Sequence, residues 1–115
     1  MAAPAPNVFE VDLVVPAEMR WAMRAKAVID DWLMSDEAGE RPVSQLPAAD
    51  LQMAVDHSEL KLSWLELEAP TAWEAVQRAS QIVAGILPEL LRASTLRIDA
   101  SLQAPDLDLR RPLGA

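Results

Sequence analysis

The spacing of apolar residues switches between two periods in a fixed order along this chain, and that order restricts the fold more than any single motif. Residues 8–15 alternate, with Phe9, Val11, Leu13 and Val15 on one face and Val8, Glu10, Asp12 and Val14 on the other. Period two with β-branched residues predicts a strand, which Pro16 is expected to end. From Ala17 to Met34 the period becomes helical. Trp21, Ala22, Ala25, Val28, Ile29, Trp32 and Leu33 fall on one arc, opposite Arg20, Arg24 and Asp31. Pro16 suits the start of that helix, where its missing N–H has no partner to lose. Residues 35–50, with Gly39, Pro42 and Pro47, show no period and read as a long loop.

The second half repeats the alternation. Residues 51–55 and 60–68 read as two strands joined by a turn through Asp56, His57, Ser58 and Glu59. Thr71-Ala-Trp-Glu74 has the form of a capping box and opens a helix. Its apolar face is expected to hold Ala72, Val76, Ala79, Val83, Ile86, Leu87 and Leu90, with Gly85 and Pro88 weakening its end. Residues 95–103 alternate once more, with Leu96, Ile98, Ala100 and Leu102 inward. Strand, helix, strand, strand, helix, strand is the order of an α+β, ferredoxin-like split βαβ fold. It implies a four-stranded antiparallel sheet with two helices on one face (β-α-β-β-α-β).

A chain of 115 residues has room for one domain of this kind, expected over 8–103. Residues 1–7 and 104–115, framed by Pro4, Pro6, Pro105 and Pro112, read as extended arms. No apolar run reaches membrane-spanning length, and residues 1–6 lack the features of a secretory signal, so a cytoplasmic protein is expected. The absence of cysteine excludes disulfides, thiolate metal sites and cysteine nucleophiles. The formal charge is −8, and only two of the ten bases are lysine. A phosphate backbone is repelled by such a chain unless its arginines cluster, and they do not; no nucleic-acid partner is expected.

The sheet face left uncovered by helices should carry the function. The alternation assigns it Val8, Glu10, Asp12 and Val14, then Gln52, Ala54 and Asp56, then Lys61, Ser63, Leu65 and Leu67, and finally Thr95, Arg97, Asp99 and Ser101. RNA-binding sheets of this topology place stacking aromatics there, whereas this one places acids. Glu10, Asp12 and Asp99 would lie on neighbouring strands and are the candidate ligands for a hard divalent cation, set against a plain solvated acidic face. His57 is the one side chain with an ordinary pKa near neutrality, so any acid–base role would begin there. Between Asp56 and Glu59 on a tight turn, it reads as an exposed turn residue. There is no Gly-x-Ser-x-Gly elbow and no glycine-rich phosphate loop. No cofactor is expected.

Trp64 poses a question of parity. Leu60, Leu62 and Trp64 share one face, yet Glu66 and Glu68 continue it, while Leu65 and Leu67 take the other. Either a bulge switches the strand after Trp64, or both of its faces are covered, the second by another chain.

In placing Asn7 at the start of the first strand and Trp64 on the third, the chain resembles dimeric α+β-barrel proteins of the antibiotic-biosynthesis monooxygenase and haem-degrading type. The resemblance implies ferredoxin-like chains paired sheet to sheet. Haem-degrading members also carry a histidine on the second helix. Here that helix has none, and His57 lies on the preceding turn.

The function expected from these observations is a non-catalytic acidic interaction or assembly module. It would associate with itself or a protein partner through Val8, Val14, Leu65, Leu67 and Trp64. The alternative is a small-ligand binder or enzyme of dimeric barrel type, with His57 and the acids Glu10, Asp12 and Asp99 lining its cavity. A DNA-mimicking inhibitor, suggested by net charge alone, stands third.

Overall fold

A computed structural model of the chain describes residues 7–53, 56–92 and 96–103. Four strands form one antiparallel sheet: β1 (Asn7–Ala17), β2 (Ala48–Met53), β3 (Ser58–Ala69) and β4 (Arg97–Leu102). Their spatial order is β2-β3-β1-β4, so the two long strands are central and the two short ones are edges. Between them run α1 (Met19–Leu33), a one-turn helix α2 (Asp36–Gly39) and α3 (Ala72–Ile86). The protein is therefore α+β. Its element list is longer than the strand–helix–strand–strand–helix–strand pattern by α2 and two 3-10 turns, Val43–Gln45 and Pro88–Arg92.

Phe9, Val11, Leu13 and Val15 are all buried, as the alternation requires, and join Leu60, Leu62 and Trp64 from β3 in one core. Ala22, Ala25 and Ile29 of α1 and Ala75, Ala79, Ile82 and Val83 of α3 complete that core from above, so both helices pack on this face. Small residues dominate the helix contacts, which lets the helix backbones lie close to the sheet. Val28 is exposed, and Trp21 and Trp32 are half-buried, so the apolar arc of α1 sinks along its alanine-isoleucine line. On α3 the buried stripe is rotated from the expected one: Ala75 and Ile82 are buried, and Ala72 is exposed.

Pro16 does not end β1, which runs through Ala17. Pro16 stands opposite Glu59 at the far end of the β1–β3 ladder, beyond the last β4 pair, Val14–Arg97, so its missing N–H costs little there. Asn7 is already in β1 and not in an arm; its side-chain amide donates to the Pro70 carbonyl (3.1 Å). The long loop 35–50 contains local structure. Ser35 caps α2 by accepting from the Ala38 N–H (3.3 Å), and acidic Asp36 and Glu37 occupy its first turn. β2 begins at Ala48 rather than residue 51, because Ala48 already pairs with Ser63. Thr71 caps α3 by accepting from the Glu74 N–H (3.1 Å), and α3 continues through Gly85 before Pro88 opens the final 3-10 turn. The expected arms 1–6 and 104–115, with Ala54, Val55 and Thr95, lie outside the described residues.

Candidate functional site

One irregularity decides which side chains reach the open face. Phe9 pairs with Leu67 and Val11 with Trp64, so the single residue Glu10 stands opposite both Leu65 and Glu66. This is a β-bulge, with one more residue on β3 than on β1. Leu65 and Glu66 both point away from the core, and the inward set resumes at Leu67 and Ala69. The parity question therefore resolves as a bulge. Trp64 and Leu67, expected at an interface, are core residues at 0% and 2% exposure. Leu65 stays outside at 64% exposure.

Trp64 is the largest fully buried side chain, and burial of an indole N–H needs an acceptor. It donates to the backbone carbonyl of Gln45 (3.0 Å). β2 pairs with β3 only as far as Ser63, and the 3-10 turn 43–45 lies against β3 beyond that point. The loop that looked featureless in sequence thus closes the sheet edge over Trp64.

The open face can be laid out in rows across the sheet. Asp99, Asp12, Ser63 and Ala48 form one row, in strand order β4, β1, β3, β2. The next row holds Arg97, Val14, Lys61 and Asp50. On the other side of the first row come Ser101, Glu10 and the bulge. Ser63 donates to Asp12 Oδ1 (2.8 Å), while Asp99 stands directly across from Asp12, a like-charge pair. The first row thus carries two acids and no base, and the next carries two cations with Asp50 at its edge; half-buried Val14 lies between the two cations, and Val8 lies near the Gln103 end. The Gln103 N–H donates to the Val8 carbonyl (2.9 Å), and its side-chain amide donates to the Leu65 carbonyl.

His57 is exposed at the hairpin turn, with Nε2 3.4 Å from Glu59 Oε2; Arg97 approaches the same oxygen at 3.9 Å. It lines none of the clefts described here. Glu10, Asp12 and Asp99 share the open face, as the alternation placed them. Among the described residues, however, no three histidine or carboxylate side chains gather closely enough to hold a metal ion. A groove of about 580 Å³ runs between the bulge and the 43–48 segment, bounded by Glu10, Ser63, Leu65, Leu46 and Pro47. Sequence reasoning missed this wall. Its signal was the Ser35-Asp36-Glu37 helix start, which shows that residues 35–50 are folded against something. No helix among the described residues is long and apolar enough to cross a membrane.

Comparison with protein-family models, with curated proteins and with solved structures finds no match.

Proposed function

We propose that this chain is a ferredoxin-like, non-catalytic assembly module of the cytoplasm that pairs with a second copy through its open sheet face. The observation that carries the reading is the row pattern on that face. A twofold axis parallel to the sheet and above its open face, running along the rows between the Asp12 row and the Val14 row, sets each row against the other row of the partner. The carboxylates Asp12 and Asp99 then face a row of Arg97, Val14, Lys61 and Asp50, with Asp99 opposite Arg97 and Asp12 opposite Val14, which Arg97 and Lys61 flank. Such a face is self-complementary, as a twofold interface requires. The like-charge Asp12–Asp99 pair is unfavourable in a lone protomer and gains nearby cations in the pair. The strand order β2-β3-β1-β4, with helices on one face, supports the ferredoxin-like assignment.

A second reading rests on the groove beside the bulge. In a face-to-face pair it would become an internal cavity, and the chain would then resemble a dimeric barrel that holds a small ligand.

Sedimentation velocity between about 1 and 100 µM tests the association, since mass action must shift the populations. The expected result is a species of twice the 12.6 kDa chain mass that grows with concentration. Leu65→Asp should abolish it while leaving the melting temperature of the dilute, unpaired chain unchanged, because Leu65 lies outside the core. A single 12.6 kDa species at every concentration would overturn the proposal.

A further inference from the structure

Away from the open face, a cleft of about 600 Å³ lies between the 41–45 segment, the end of β3 and α3. On a chain of net charge −8, its lining includes two arginines, Arg41 and Arg78. Leu67 and Ile82, almost wholly buried, form an apolar floor to the cleft, and Gln45 and Gln81 contribute amides. We infer that this cleft is a binding site for a small organic acid, with an apolar body on Leu67 and Ile82 and a carboxylate held by the two guanidiniums.

Both arginines are positioned before any ligand arrives. Arg78 donates to the backbone carbonyl of Glu68 (2.5 Å), the residue that supplies the only acid in the lining. Arg41 stacks over the Trp32 ring at 5.5 Å and pairs with Glu37 at 3.5 Å, one turn earlier. Each guanidinium has five N–H donors in a planar fork, and each of these polar contacts engages one nitrogen. The rest suit the two oxygens of a carboxylate. The wall opposite α3 is fixed as well, because the Gln45 backbone is anchored by the Trp64 N–H. Arg41, Arg78, Leu67 and Ile82 do not lie on the open face, so the site they form stands whether or not the chain pairs.

The test titrates the full chain with hexanoate, with 1-hexanol and inorganic phosphate as separate arms, following arginine Nε–H and glutamine amide signals by NMR. Hexanoate is expected to saturate with a dissociation constant on the order of 1 mM, a reasonable efficiency for so few atoms. Hexanol, lacking the charge, and phosphate, lacking the apolar body, should each bind at least about fivefold more weakly. Arg78→Gln should weaken hexanoate by about tenfold, and Arg78→Lys, which keeps the charge without the fork, by about threefold. Hexanol matching hexanoate, phosphate matching it, or an Arg78→Gln affinity equal to the parent's would each overturn the assignment. So would the absence of saturation up to roughly 20 mM, well beyond the affinity the cleft should supply.

Discussion

Replacing Trp64 by phenylalanine isolates the contact that ties the 35–50 segment to the sheet. The indole is fully buried, and its N–H donates to the Gln45 carbonyl at 3.0 Å. Phenylalanine keeps one six-membered ring but leaves the remainder of the indole volume empty, a loss of about 1 kcal/mol in burial and packing. It also leaves the Gln45 carbonyl without its partner, which adds about 1–2 kcal/mol. The expected destabilisation is therefore about 2–3 kcal/mol, or roughly a 10 °C fall in melting temperature for a domain of this size. Urea unfolding followed by circular dichroism measures it, with Gln45→Ala as the control. That control removes the Gln45 side chain but keeps the backbone acceptor, so it should cost less than about 0.5 kcal/mol. A Trp64→Phe loss below about 0.5 kcal/mol, or a Gln45→Ala loss equal to it, would refute the argument.

Gly85 lies on the exposed side of α3, away from a positive backbone φ, and an added Cβ would meet nothing within 4 Å. Gly85→Ala should therefore stabilise the chain by about 0.5–1 kcal/mol in the same unfolding assay; no gain would mean that the end of α3 is frayed in solution. His57→Ala should leave stability within about 0.5 kcal/mol and leave the association constant unchanged, because the ring is exposed and its polar partner among the described residues is Glu59. A larger change in either unfolding or sedimentation would assign the imidazole a role that an exposed turn residue does not have.

The parts of the fold carried by long periodic runs were legible in the sequence. The inward set of β1, the position of α1 and the Thr71 cap all follow from local patterns, because each repeats over several turns or rests on a specific hydrogen bond. The bulge was legible only as a conflict between Trp64 and Leu67. Alternation along one strand cannot say whether an extra residue is absorbed in the ladder or both faces are covered; that depends on Glu10 of a strand more than fifty residues away. The candidate site was half legible for the same reason. Val8, Val14, Leu65 and the three acids reach the open face, whereas Trp64 and Leu67 do not. The meeting of Arg41 and Arg78 in the lining of one cleft had no local signature at all, since they come from a segment without periodicity and from the polar side of α3.

The bulge also makes β3 unequal in its tolerance of changes in length. Between Trp64 and Leu67 the strand carries two outward residues where its neighbour β1 has one. Deleting Glu66 would leave Trp64, Leu65 and Leu67 alternating inward, outward, inward, with every core side chain on the side it already occupies. Deleting half-buried Ser63 or exposed Glu68 would instead throw one end of the strand onto the wrong face. Within this strand, then, the chain is redundant by one residue at a single place, and that place is the exposed tip of the groove. A lineage could gain or lose a residue there, reshaping the open face, while the core beneath kept its register.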